Sequence, residues 1–283
     1  MNADVYRSPS GQQAVERSYR EHLRHWTVPL QHRTVATREG DTFVTDCGPT
    51  DAPPLVLLHG AGSNSAIWQA DASRWSLTHR LYMVDLIGEP GLSAPSRPPL
   101  DSDAYALWLD DVLDELGVDA AGFVGVSLGG WLATDYAIRR PGRVERLALR
   151  APGGIGRQRY GAVLAALALM PFGERGTLRA LRIALGPGPI PDPVIDYMLL
   201  IQRNYRPRRD TLPIFSDDDL KAIAAPLFVV LGARDRMLNS RDTAARLTRL
   251  QPAASINVLA GAGHGLFDDG EDLRTFLNQG ARP

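Results

Sequence analysis

Phe123-Val-Gly-Val-Ser-Leu-Gly-Gly130 is the stretch on which the fold turns. Residues 123–126 form a short apolar run that predicts a strand. Residues 128–140 predict a helix, halted by Pro141-Gly142. Between them lies the G-x-S-x-G pentapeptide of Gly125, Ser127 and Gly129. A tight strand-to-helix turn strains the serine backbone and lifts its hydroxyl above a sheet. Glycines on either side let neighbouring backbones approach. The helix N-terminus beneath offers free N–H groups and a positive dipole end to a developing anion. The bare pentapeptide arises by chance in many proteins. Strand before and helix after make Ser127 a candidate nucleophile rather than a turn serine.

Working outward, strands and helices alternate. Residues 33–38 and 42–47 predict a hairpin about Glu39-Gly40-Asp41. Residues 54–58 read as a strand buried on both faces, and 67–77 as a helix. Residues 81–84 predict a strand ending at Asp85, followed by a Gly/Pro/Ser-dense loop over 88–100. Residues 101–116 predict an amphipathic helix burying Tyr105, Trp108, Leu109, Val112, Leu113 and Leu116, with Gly117 as its stop. Strands follow at 144–149, 226–231 and 255–259, with helices near 241–250 and 273–277. This alternation predicts an α/β fold, a mostly parallel central sheet flanked by helices. It breaks over 153–213, which contains no evident strand and is read as an inserted helical cap. The core is then 34–152 and 214–283, and residues 1–33 form a helical leader with Val15, Tyr19, Leu23 and Trp26 on one face.

A serine hydroxyl needs a base to act as a nucleophile at neutral pH. Of the six histidines, His264 lies in Gly261-Ala-Gly-His-Gly265, after the last predicted strand. A loop there reaches the carboxyl edge of the sheet, where open α/β sheets bind ligands. An imidazole base needs an orienting carboxylate. Asp235, just past the strand at 226–231, is the candidate, with Asp242 as the local rival. Ser127, Asp235 and His264 occur in the order of one known triad arrangement. The oxyanion donors expected are the backbone N–H groups of Ala61, in His59-Gly-Ala-Gly62, and of Leu128. His59 is read as the residue holding that loop rather than as a second base.

Composition excludes other classes. Thirty-one basic and 32 acidic residues give a net charge of −1, without the basic footprint of a nucleic-acid binder. One cysteine, Cys47, excludes an intrachain disulfide and cysteine-rich zinc sites. The longest strongly apolar run, 162–171, is half of what a membrane span requires. The N-terminal residues lack the apolar core of a signal peptide, so the cytoplasm is expected. Lys221 is the only lysine among the 31 basic residues, which reads as the codon bias of a GC-rich bacterial genome.

These motifs resemble the α/β-hydrolase fold superfamily, in its capped carboxylesterase and lipase-like branch. The resemblance is carried by residues 59–62 with Trp68, 85–93, 125–130, 232–235 and 263–264. It implies Ser127 as nucleophile, Asp235 as acid, His264 as base, and the Ala61 and Leu128 amides as oxyanion donors. It implies a serine hydrolase cleaving a carboxylic ester of a small acyl substrate, with no cofactor and no metal. Relatives that dehalogenate or open epoxides use an aspartate where this chain has Ser127. Two departures stand out. Gly88-Glu-Pro-Gly91 replaces an aromatic residue common there, and Asp268, Asp269, Glu271 and Asp272 are shifted from the usual lone glutamate. The same triad serves acyltransferases, cyclases, thioesterases and carbon–carbon bond hydrolases, or persists in ligand receptors. Residues 151–215 hold nine arginines and four acids, an excess of +5, read as a solvated face or a dock for an acidic carrier protein. The apolar run at 162–170 reads as core packing or as the roof of an acyl pocket. Trp68, Trp131, Met170 and Tyr197 are pocket candidates whose first reading is packing.

Overall fold

Leu55-Val-Leu-Leu58 is apolar at every position because both faces of its strand are covered. Leu55 and Leu57 join one hydrophobic cluster, and Val56 and Leu58 the other. This is the period-two alternation of a strand sandwiched between helical layers. The computed structural model describes residues 5–187, 190–265 and 271–279. Its strands are β1 (Gln31–Thr37), β2 (Gly40–Cys47), β3 (Pro54–Leu58), β4 (Arg80–Val84), β5 (Ala121–Val126), β6 (Val144–Arg150), β7 (Leu227–Gly232) and β8 (Ser255–Leu259). They form one eight-stranded sheet in the order β1-β2-β4-β3-β5-β6-β7-β8. The β1–β2 and β2–β4 pairs are antiparallel, and the remaining pairs, from β4–β3 to β7–β8, are parallel.

The helices are α1 (Pro9–Arg24), α2 (Gln69–Trp75), α3 (Ala104–Leu116), α4 (Leu128–Arg139), α5 (Gly161–Leu169), α6 (Gly173–Leu185), α7 (Asp192–Asn204), α8 (Asp217–Lys221), α9 (Ser240–Leu250) and α10 (Glu271–Asn278). Residues of α3, α4, α8 and α9 pack in one cluster, and those of α1, α2, α7 and α10 in the other. Gly117 ends α3 in the left-handed region, at φ 69°. Among the described residues, no helix is long and apolar enough to cross a membrane.

Three expectations shift. The hairpin pairs Thr37 with Gly40, so its loop is Arg38-Glu39. Gly40 follows at φ 98°, and Asp111 binds Arg38 there, taking its backbone N–H at 2.9 Å and its guanidinium at 2.7–2.8 Å. The helix expected over 67–77 begins as a 3-10 turn, Ser65–Trp68, capped by Asn64, before α2. Helix α5 leaves Leu164 64% and Leu167 58% exposed, so these two side chains neither pack on the core nor roof an enclosed pocket. Trp68, Trp131 and Tyr197 are buried. Trp131 stacks on Phe215 and donates to the Pro213 carbonyl, as a packing residue does. The side chain of Met170, and the acids Asp268 and Asp269, lie outside the described residues.

Residues 5–7 cross the chain just beyond α7. Tyr6 bridges Tyr205, Arg7 N–H donates to the Asn204 carbonyl, and Arg206 N–H to the Val5 carbonyl. Helix α1 lies on α7, with His22 against the Tyr197 ring. The N-terminal segment thus touches residues within 153–213, and its Tyr19 also reaches Asp85 behind β4.

Candidate active site

Ser127 connects β5 to α4 with φ 52° and ψ −107°, a conformation disfavoured for any side chain. Such a residue costs about 1–3 kcal/mol and persists only when its surroundings over-determine it. Here its N–H donates to the Arg150 carbonyl at 3.0 Å, and its carbonyl accepts Trp131 N–H at 2.9 Å and Gly153 N–H at 3.1 Å. The flanking glycines are required by contact. A Cβ on Gly125 would lie 2.4 Å from the Gly129 carbonyl oxygen, and one on Gly129 would lie 2.1 Å from that of Leu58. The turn is pressed against the end of β3 by backbone on both sides. Ala151, which follows β6, is the other described non-glycine residue with positive φ, at 43°.

Asp235 follows β7 and is 2% exposed. Its Oδ1 accepts the N–H groups of Met237 at 2.7 Å and Leu238 at 2.9 Å. Its Oδ2 lies 2.8 Å from Nδ1 of His264. A carboxylate only accepts, so Nδ1 carries the proton. In the neutral ring Nε2 is then an acceptor, and it lies 3.1 Å from Ser127 Oγ. Three residues separated by up to 137 positions are joined in one hydrogen-bonded line. The rival Asp242 sits on α9 and takes the Arg157 N–H instead.

Residues within 153–213 hold both partner loops. Arg159 donates its guanidinium to the Asp235 carbonyl at 2.9 Å and its N–H to that of Met237 at 2.7 Å. Gly265 N–H donates to the carbonyl of Leu185, the last residue of α6, at 2.9 Å.

The loop after β3 carries His59-Gly-Ala-Gly62. A Cβ on Gly60 would lie 3.5 Å from Ser127 Cβ, so this loop borders the serine. His59 is fully buried. Its Nε2 accepts Leu86 N–H at 2.9 Å, so Nδ1 bears the proton and donates to the Gly60 carbonyl at 2.9 Å. Burial lowers its pKa, outweighing nearby Asp85 and the Gly60 carbonyl, which raise it. This histidine holds the loop. The Ala61 and Leu128 N–H groups make no hydrogen bond among the described residues, and Leu128 opens α4.

The β4 loop contributes residues that periodicity did not single out. Asp85 accepts the Tyr19 hydroxyl, the Ser65 N–H and hydroxyl, and the Leu92 N–H. Glu89 is 3% exposed and accepts Gly62 N–H at 2.6 Å and the Tyr205 hydroxyl at 2.7 Å, both on Oε2. Its one signal in the sequence is the departure at Gly88-Glu-Pro-Gly91.

Comparison with known proteins agrees with this architecture. The alpha/beta hydrolase family matches residues 55–275. Carboxylesterase YbfK of Bacillus subtilis (strain 168) is 30% identical over 255 residues, which span 87% of this chain and 86% of the relative. The crystal structure of carboxylesterase CesB (YbfK) from Bacillus subtilis aligns with a TM-score of 0.82 at 29% identity, covering 95% of this chain and 96% of that one. The crystal structure of naproxen esterase from Bacillus subtilis gives 0.81 at 28% identity, covering 98% and 96%. With the match running from β3 into α10 and the serine turn between β5 and α4, this chain belongs to the alpha/beta hydrolase family.

Proposed function

We propose that the chain hydrolyses a carboxylic ester of a small acyl substrate through an acyl-enzyme on Ser127. The observation that carries this reading is the line Asp235–His264–Ser127, at 2.8 and 3.1 Å. Ser127 Oγ attacks the ester carbonyl carbon as its proton passes to His264 Nε2. Asp235 holds the ring in the Nδ1–H tautomer and faces the imidazolium that forms. The negative oxygen of the tetrahedral intermediate is taken by the N–H groups of Ala61 and Leu128. Collapse breaks the bond to the alkoxy oxygen, which leaves as alcohol with the proton from His264. Water then gives a proton to His264 and its oxygen to the acyl carbon. The second collapse releases the acid and returns the proton to Ser127.

Two relatives named as carboxylesterases, matched over most of their length, support the ester as substrate class. Residues 153–213, carrying α5, α6 and α7, are the proposed cap over this site. Their contacts with the Asp235 and His264 loops support that reading.

The test is a fluorophosphonate probe read by intact mass, beside turnover of a p-nitrophenyl ester series from short to long acyl chains. One adduct is expected on the wild type and none on Ser127→Ala, whose ester turnover falls to background with its melting temperature retained. Wild-type turnover in Ser127→Ala would refute the assignment.

A further inference from the structure

The exposed methyl of Ala61 gives packing little with which to hold its backbone. The direction of its N–H depends on the peptide groups either side. On one side, the Gly60 carbonyl accepts Nδ1–H of His59 at 2.9 Å. A trans peptide is planar, so that carbonyl aims the Ala61 N–H the opposite way. On the other side, Gly62 N–H donates to Oε2 of Glu89 at 2.6 Å. Both anchors trace to the loop after β4, because His59 is itself fixed by Leu86 N–H.

Glu89 is a buried carboxyl used in an unusual way. Among the described residues it forms no ion pair, and its hydrogen bonds come from Gly62 N–H and the Tyr205 hydroxyl. Arg97 directs its guanidinium to the carbonyls of Gly88 and Arg206. Arg208 directs its own to Tyr105, the Pro98 carbonyl and Asp210. Burial pushes the Glu89 carboxyl above the usual carboxylate range, against the opposing pull of these donors and arginines. A full negative charge beside a developing oxyanion would oppose that oxyanion. What the site gains from Glu89 is therefore an acceptor of fixed reach, and its charge is secondary.

We propose that Glu89 is a positioning residue for the oxyanion loop. It holds Gly62 N–H, and through that peptide the Ala61 amide, in the orientation the tetrahedral intermediate requires. Tyr205 ties the same oxygen to the end of α7. The proposal rests on the Ser127 reading above.

The experiment compares kcat, KM and melting temperature for p-nitrophenyl butyrate across Ser127→Ala, Glu89→Gln and Glu89→Asp. Glutamine keeps the reach and an acceptor oxygen but removes the charge. Aspartate keeps the charge and withdraws the acceptor by one methylene. Losing an oxyanion donor outright costs about 10²–10³ in kcat, so a displaced one in Glu89→Asp is expected to cost about 10- to 100-fold. KM should change little, and Glu89→Gln should keep most of the wild-type kcat. Wild-type kcat in Glu89→Asp overturns the proposal. So does a Glu89→Gln loss as large as that of aspartate, or a loss in kcat that only follows a fall in melting temperature. If Glu89→Asp does not fold, Glu89→Met, which keeps the reach without the acceptor, is read by the same criteria, and failure of both to fold makes Glu89 structural and overturns the proposal. Turnover surviving in Ser127→Ala defeats the serine reading and this proposal together. Loss in Ser127→Ala beside wild-type Glu89→Asp defeats this proposal alone.

Discussion

Replacing Asp235 with asparagine keeps the shape of the side chain and removes one acceptor where three donors converge. Oδ1 takes Met237 and Leu238 N–H, and Oδ2 takes His264 Nδ1–H. Asparagine offers one oxygen and one amino group. With the oxygen toward the loop, both backbone donors stay paired and the amino group points at His264. With the amide reversed, the amino group meets two N–H donors. Leaving the buried Leu238 N–H unpaired alone costs about 1–3 kcal/mol, and each 1.4 kcal/mol or so is a factor of ten in population. The loop therefore selects the first arrangement. His264 must then accept at Nδ1 and carry its proton on Nε2, the atom that faces Ser127 Oγ at 3.1 Å. The base is blocked by its own proton. The expected loss in kcat is about 10⁴-fold, with little change in KM. Asp235→Ala, which imposes no tautomer, should be no worse than Asp235→Asn despite removing more atoms. Ester turnover gives the rates, and ¹⁵N-resolved spectra of the ring give the tautomer. A tenth or more of wild-type kcat in Asp235→Asn, or an Nδ1–H tautomer in that variant, would refute the reasoning.

Two glycines separate space from strain. Gly129→Ala puts a Cβ 2.1 Å from the Leu58 carbonyl oxygen, whereas Gly117→Ala meets nothing within 4 Å and strains only a φ of 69°. Overpacking of that kind costs about 1–3 kcal/mol or more and should lower kcat with the melting temperature. The left-handed alanine at 117 costs about 1–2 kcal/mol, a fall of a few degrees with kcat unchanged. Equal kcat losses in the two variants would contradict this. Cys47 is 2% exposed, and burial pushes its thiol up to about 11. At pH 8 it is a protonated, enclosed thiol, expected to be inert to an aromatic disulfide reagent until guanidinium unfolds the chain. Stoichiometric reaction of the native protein on mixing would overturn that expectation.

The parts of this molecule legible in its sequence are those set by local pattern. Strand β3 is legible at both ends because burial on both faces makes 54–58 apolar throughout. The positions of Ser127, Asp235 and His264 behind β5, β7 and β8 are legible because β5 and β7 are short apolar runs and β8, Ser255–Leu259, alternates polar and apolar residues as a strand does. What the pattern did not contain is partnership across distance. Arg38-Glu39 forms the hairpin loop with Gly40 following at φ 98°, and the Asp111 that binds Arg38 there is 73 residues away. Helix α8 is too short, at five residues, to show periodicity, and its signal is the Ser216–Asp219 capping box. Helix α5 is apolar all round, so sequence alone does not say which face meets solvent. Glu89 looked like a departure in a loop because its partners, Gly62 and Tyr205, are 27 and 116 residues away.

The contacts around the site fall into two groups. Asp235 and His264 are held by their own loops, by Arg159 and by Leu185, the last two within 153–213. The Ala61 peptide is held by His59 and Glu89, and through them by the loop after β4 and by Tyr205. Ser127 stands between the groups, fixed by Arg150, Trp131 and Gly153. In the proposed mechanism, proton transfer and oxyanion stabilisation thus draw on different hydrogen bonds, and both sets lean on 153–213, through Arg159 and Leu185 on one side and Tyr205 on the other. Interactions without shared partners add, and those within one network do not. A loop that carries two N–H donors to Asp235 and a loop that carries one to Glu89 need not move together. On the proposed mechanism the strained serine needs both in register, because its oxygen is useful only where a base and an oxyanion donor face the same carbonyl. The backbone cost at Ser127 is the local price of meeting that condition from the end of a single strand.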